Sequence, residues 1–324
     1  MVLAIIGMLA MLTGCVSGSL SSARSSSPAS SAAPAFAIDQ DFPDPDVMLV
    51  DGTYYAYATN VPGINEQVAT SRDLKTWTVS TTDALPELPG WASPGKTWAP
   101  DVTELSPGHF VMYFVATNVD PGAQCIDVAT STSPTGPFAA VGTTALLCPP
   151  DQGGAIDPAT FTDTDGSRYL IWKNDGNCCG LDTWLQIAPL AVDGLTVTGP
   201  STKLIKQSQP WEGNLVEAPT LIKHGNNFVL FYSANDYSGS KYAIGYATAT
   251  SLLGPYLKHA QPLLSTSSSG GRFIGPGGQD VVTAPDGSTV LVFHSWADGN
   301  AYRGMNELPL AWKNDEPMVK LPTK

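Results

Sequence analysis

The sequence predicts an all-β chain folded as a five-bladed β-propeller, on three observations. One plan recurs five times at a spacing of about 60 residues, each copy built around a turn glycine: Gly52, Gly108, Gly166, Gly225 and Gly287. A second register agrees, with Ala-Thr beginning at Ala69, Ala129 and Ala247. Helical 3.6-residue periodicity is absent, while short apolar runs alternate with Gly- and Pro-bearing turns.

Taken in order, the units read "DPDVMLVDGTYYAYAT" from Asp44, "PDVTELSPGHFVMYFVAT" from Pro100 and "DPATFTDTDGSRYLIWKN" from Asp157. "EAPTLIKHGNNFVLFYSAN" from Glu217 and "QDVVTAPDGSTVLVFHSW" from Gln279 complete the set. Each holds an acidic residue, a short strand, a Gly turn and a strongly apolar strand, with room for one or two strands more. Four short strands in about 60 residues make a propeller blade, and five blades fall within the usual range. A sandwich is not expected to repeat at so long a period. The propeller is expected to span residues 36–324.

Two segments precede it. "MVLAIIGMLAML" is too short for a membrane span, and "LTGC" follows, ending at Cys15. This resembles a bacterial lipoprotein signal over residues 1–15, with Cys15 as the lipidated residue after cleavage, although no Lys or Arg precedes the apolar run. A plain secretory signal is the alternative, and both export the protein. Residues 16–35, rich in Ser and Ala, read as a tether that buries too little surface to fold.

Setting Cys15 aside leaves Cys125, Cys148, Cys178 and Cys179, an even count in an exported chain with three pairings open. Cys125–Cys148 with a vicinal Cys178–Cys179 bridge is preferred, because "NCCG" is an unusual pair to leave reduced outside the cell. No CxxC spacing suggests zinc.

Lys and Arg number 16 against 29 Asp and Glu, a net charge of −13 that disfavours nucleic acid and any anionic membrane surface as partners. Membrane contact is expected only through the lipid anchor. Charged residues are sparse at 14%, and 8 Trp accompany 31 Gly, a mix that suits a neutral polar ligand. Nucleophile-elbow, P-loop, HExxH and dinucleotide motifs are all missing.

The acids of the repeats carry the functional expectation. Glu217 stands with Asp44 or Asp46, Asp101, Asp157 and Asp280 near the start of each unit, seven to nine residues before the turn glycine. Glu217 has no basic residue within four positions, so it reads as an unpaired acid at the head of a half-buried strand. In a propeller, equivalent strand starts converge at one mouth, where crowded carboxylates raise one another's pKa. Two carboxyl groups across a neutral substrate suffice to cleave a glycosidic bond, one giving a proton and one activating water. Glu217 suits the acid, Asp44 the base, and Asp157 lies between them in blade order.

"FPDPDVML", "GGAIDPATF" and "NLVEAPTL", in that order, resemble the motifs of glycoside hydrolase family 43. The similarity includes "WAPDV" and "GPGGQDVV" and covers the whole expected propeller. It implies an inverting mechanism, with Asp44 as general base, Asp157 as pKa modulator and Glu217 as general acid. "GGQDVV" with "YRGM" is similar to the branch acting from chain ends on α-1,5-linked arabinan, which implies an exo-α-L-arabinofuranosidase. The implied partner is arabinan or another hemicellulose or pectin side-chain oligosaccharide. A β-xylosidase on the same scaffold and a non-catalytic sugar-binding propeller are the alternatives.

Arg303 corresponds to an arginine contacting sugar hydroxyls, although an Arg there equally serves to neutralise acidic neighbours. Trp98 is a candidate stacking surface or else a core aromatic. His294 is a third substrate-binding candidate, with a buried structural role beside it. Asp101 is read as structural. No cofactor is expected to be required. Arabinanases of the family often carry a His after "GPG" that supports an axial metal; here Gly278 and Gln279 stand there, so a Ca2+ would need a Gln carbonyl or waters.

Overall fold

A computed structural model describes residues 36–120 and 122–321. Cys15, the signal segment and the tether lie outside the described residues. Five antiparallel meanders follow one another along the chain, each with its first four strands in chain order, while the fifth strand of blade four returns to pair with the third. Blade one holds β1 (Asp46–Val50), β2 (Thr53–Ala58), β3 (Gln67–Ser71) and β4 (Trp77–Val79). Blade two holds β5 (Ala92–Ser106), β6 (His109–Asn118), β7 (Gln124–Ser131) and β8 (Ala139–Ala140). β9 (Ala155–Thr162), β10 (Arg168–Asn174), β11 (Trp184–Leu190) and β12 (Thr202–Lys206) form blade three. Blade four comprises β13 (Val216–His224), β14 (Asn227–Ala234), β15 (Ala243–Ala249), β16 (Leu257–Lys258) and β17 (Leu264–Ser265). Blade five is β18 (Ile274–Thr283), β19 (Thr289–Trp296), β20 (Arg303–Lys313) and β21 (Glu316–Val319).

The five repeat glycines all sit at the tight turn between the first two strands of a blade, at φ between 56 and 85°. Such a φ is open to glycine at little cost, which is why the repeat keeps it. The second strand of each blade is the apolar one because it is covered on both faces. In β14, Phe228, Leu230 and Tyr232 pack toward blade three, whereas Val229 and Phe231 pack toward blade five. β6 divides likewise, Phe110, Met112 and Phe114 toward blade one and Val111, Tyr113 and Val115 toward blade three. The interior is thus five apolar seams, one between each pair of adjacent blades. The ring closes where Ile38 bridges Met305 of β20, so a segment preceding blade one completes blade five.

The acids of the repeats converge as expected, save Glu217, and they also have a structural task. Asp280 accepts the N–H of Val47 at 3.0 Å, Asp46 that of Val102 at 2.9 Å, Asp101 that of Thr160 at 2.9 Å, and Asp157 that of Ala218 at 2.8 Å. At the remaining seam the Thr220 hydroxyl donates to the Gln279 carbonyl at 2.6 Å. Each seam is therefore stitched by an inner-strand hydrogen bond. Asp44, Asp46, Asp101, Asp157 and Asp280 all line a small axial cavity of about 230 Å3, which Glu217 does not reach. Burial pushes Asp101 up to about 7 against the opposing hydrogen bonds from Thr160. Burial and the neighbouring acids Asp101 and Asp280 raise Asp46 further still.

Candidate active site

A backbone device recurs where the acids meet. One residue per blade, in the inner strand or just before it, adopts the left-handed region: Asp44 (φ 55°), Ala99 (42°), Asp157 (53°), Ala218 (48°) and Gly278 (54°). Four of the five are not glycine, and such residues cluster where structure over-determines the backbone for function. In β5, β9, β13 and β18 the ladder register shifts close to this residue. The bulge re-aims the neighbouring side chains away from the alternation of the strand. Asp44, Asp157 and Glu217 come in this way to line one cavity of about 620 Å3, together with Trp98, Lys173, Asn177, Cys178, Tyr237, Tyr242 and Arg303.

The three carboxylates are not alike. Asp44 receives the Thr59 hydroxyl at 2.8 Å on Oδ2 and the Arg303 guanidinium at 3.6 Å on the same oxygen. Burial pushes its pKa up, but Arg303, His294 and Thr59 together outweigh burial and hold the carboxyl well below the usual carboxylate range. It is therefore ionised at neutral pH. Asp157 is the reverse case. Burial and the nearby Glu217 raise it to about 8, against the opposing pull of Lys173 and the Ala218 N–H. Glu217 takes the Tyr242 hydroxyl on Oε1 at 2.8 Å and faces Lys173 Nζ from Oε2 at 3.3 Å.

The sequence left Glu217 unpaired; its partner comes from the neighbouring blade. Lys173 ends the apolar run of β10 and is fully buried. It also lies 3.5 Å from Asp175 and donates to Asn177 Oδ1 at 2.6 Å. Burial lowers its pKa, yet the surrounding Glu217, Asp157 and Asp175 raise it by more, so the ammonium stays charged. The available signal was a lysine inside "YLIWKND" in a chain of only 16 basic residues. Tyr242 and Thr59 carried no such mark, because their roles follow from contacts between distant segments.

The other expected site residues divide. Trp98 lines the cavity with its body packed on the seam between blades two and three. Arg303 lines it as well, held over the rings of Tyr237 (5.0 Å) and Trp296 (5.8 Å), with Asp44 as its ion-pair partner. His294 requires correction: it does not line the cavity. It is fully buried behind the Tyr242 ring, stacked at 5.9 Å. Its Nδ1 lies 3.0 Å from the backbone N of Asp44 and 3.3 Å from Asp44 Oδ1, which makes His294 a support for Asp44. Gly278 permits that contact, since a Cβ there would lie 2.5 Å from Asp44 Oδ1 and 2.6 Å from His294 Nδ1. The structure pairs Cys125 with Cys148 and Cys178 with Cys179.

An axial metal does not fit these residues. Gln279 accepts from Ser233 through Oε1, donates to Ala218 through Nε2, and gives its carbonyl to Thr220. Gly278 offers no side chain; Asp46 and Asp280 each commit one oxygen to a seam and Asp101 commits both. Among the described residues no group of three His, Cys, Asp or Glu side chains is arranged to hold an ion.

Residues 37–316 match the family described as glycosyl hydrolases family 43. A curated relative, the extracellular endo-α-(1→5)-L-arabinanase 1 of Bacillus subtilis strain 168, is 27% identical over 294 residues, covering 85% of this chain and 86% of its own. Among solved structures, a thermostable family-43 glycoside hydrolase is 31% identical at a TM-score of 0.76, covering 88% of this chain and 94% of the other. An endo-1,4-β-xylanase from Bacteroides thetaiotaomicron VPI-5482 is 27% identical at a TM-score of 0.75, with 88% and 96% covered.

Proposed function

The chain belongs to glycosyl hydrolase family 43, and on that premise we propose that it is an inverting exo-α-L-arabinofuranosidase releasing arabinose from α-1,5-linked arabinan or arabino-oligosaccharides. The observation that carries this is the convergence of three carboxyl groups on one cavity. Asp44 is kept ionised by Arg303 and Thr59, and Asp157 beside Glu217 is kept protonated at neutral pH. An inverting hydrolysis needs an ionised base, which Asp44 supplies, and a second carboxyl to serve as the acid, the place Glu217 takes.

Asp44 is the general base: it draws a proton from a water on one face of the sugar while that water attacks the anomeric carbon. Glu217 is the general acid and gives a proton to the departing glycosidic oxygen. Tyr242 and Lys173 fix the Glu217 carboxyl in direction, and Lys173 steadies the negative charge left once the proton has gone. Asp157 positions the strand through the Ala218 N–H and holds a proton next to Glu217. Trp98 offers a flat face to the sugar. A cavity of about 620 Å3 suits the end of a saccharide chain, which agrees with exo action.

Export belongs to the same proposal. Two disulfides suit an oxidising compartment, and two arabinanase relatives from Bacillus subtilis are described as extracellular. Lipidation at Cys15, a tether over residues 16–35 and a catalytic domain over 36–324 complete the arrangement.

A second reading, β-xylosidase activity, is favoured by the likeness to a solved xylanase. Hydrolysis of aryl α-L-arabinofuranoside and aryl β-D-xyloside, followed by product analysis on arabino- and xylo-oligosaccharides, separates the two. Arabinose released one unit at a time is the expected result. Xylose release with inert arabinosides replaces the substrate assignment, and inactivity on every substrate removes the function.

A further inference from the structure

The vicinal disulfide has no part in the chemistry above, yet it stands beside it. Cys178 and Asn177 line the cavity that holds Asp44, Asp157 and Glu217. Both cysteines are exposed, and Leu181, two residues on, is 46% exposed. An apolar patch left open at the rim of a cavity that already offers Trp98 and Tyr237 points to a partner for it.

The turn bearing this patch is built rather than incidental. It is a short 3-10 turn over Gly176–Cys179, closed by the Leu181 N–H on the Gly176 carbonyl at 2.8 Å. Beneath it lies Gly153, where a Cβ would come within 2.5 Å of the Asp175 carbonyl and 3.1 Å of Cys178 Sγ. That close approach accounts for one glycine of "GGAIDPATF". At its base Asn174 donates to the carbonyls of Gln152 and Asp182, both at 3.1 Å. On the cavity side, Asn177 accepts from the Lys173 ammonium, which itself lies 3.3 Å from Glu217. The sulfurs are thus one residue from a side chain only two contacts from the acid.

We propose that the Cys178–Cys179 disulfide is a sugar-contact surface, its sulfurs and Leu181 forming an apolar ledge on which the C–H face of a neutral pentose packs. A bridge between adjacent residues suits that use. It presents polarisable apolar atoms on a closed ring, with no free rotor to order on binding. The inference rests on the cavity being a glycosidase site and adds a surface that recognises the sugar.

Two measurements test it in the full chain. In the folded Glu217→Gln protein, reduction of this disulfide by a water-soluble phosphine gives two thiols and the phosphine oxide, its oxygen coming from water. The thiols are trapped with iodoacetamide and counted by mass in the peptide that carries Cys178 and Cys179. Saturating arabino- or xylo-oligosaccharide, with binding confirmed by calorimetry, is expected to slow the reduction at least tenfold. The Cys178→Ala/Cys179→Ala variant is expected to lose about tenfold in kcat/KM, carried by KM, with oligosaccharide affinity weakened in parallel. Binding without protection overturns the ledge and leaves the glycosidase assignment standing. A fall in kcat at unchanged KM also overturns it, because the turn would then act only through Asn177 and Lys173. Absence of both binding and turnover in the wild type overturns both.

Discussion

Lys173→Met isolates the interaction that ties the fold to the chemistry. The ammonium is fully buried, 3.3 Å from Glu217 and 3.5 Å from Asp175, whose side chains are 13% and 14% exposed. At an effective dielectric of about 20, each attraction is worth roughly 5 kcal/mol, and desolvation of the ammonium offsets much of the sum. Removing one partner of such a buried cluster costs about 3–5 kcal/mol, because the acids stay behind uncompensated. Glu217→Gln removes the carboxyl that faces the ammonium while leaving an oxygen for the Tyr242 hydroxyl. The double variant is therefore expected to be more stable than the sum of the two single losses by roughly 2 kcal/mol. Urea unfolding at pH 7, followed by tryptophan fluorescence, gives all four corners of the cycle. Agreement with simple addition to within about 0.5 kcal/mol would refute the claim that Lys173 holds Glu217.

Three further outcomes follow from the same geometry. Asp44→Asn and Glu217→Gln are each expected to fold, by circular dichroism, and to lose about 10²–10⁴-fold in kcat. Only Glu217→Gln should recover on an aryl glycoside whose leaving group needs no proton; recovery in Asp44→Asn alone would reverse the roles. Because Asp157 is raised to about 8, kcat/KM is expected to fall on the alkaline side with a midpoint near that pH. An unchanged alkaline limb in Asp157→Asn would detach that proton from catalysis. Asp101, raised to about 7, keeps its proton in the folded state but loses it near pH 4 when unfolded. Its stabilising contribution is thus full below about pH 4 and fades as pH rises through about 7. Asp101→Asn should flatten the unfolding free energy across that window, and a curve parallel to wild type would contradict the assigned burial.

The architecture was legible because glycine and the apolar strand recur in every blade for reasons local to the hairpin. A two-sided apolar run such as "FVLFYSA" records directly that blades lie on both of its faces. The acids were legible as residue types but not as tiers. Asp44 and Asp46 are two positions apart and share the axial cavity, yet only Asp44, at the left-handed kink, also reaches the larger one. Lys173 and Tyr242 reach Glu217 across 44 and 25 residues of chain, and neither carries a motif. His294 could be misassigned for a related reason: a histidine ending an inner strand is equally placed to line the mouth or to stand behind it. What decided the matter was the absent side chain at Gly278.

The central claim is that Asp44 activates water on the face of the sugar opposite Glu217. Proton NMR of the first product, recorded before mutarotation during hydrolysis of an α-1,5-linked arabino-oligosaccharide, tests it most directly. β-Arabinofuranose as the initial anomer is the expected result. Initial release of the α anomer would mean a covalent intermediate, and Asp44 could not then be the base described here.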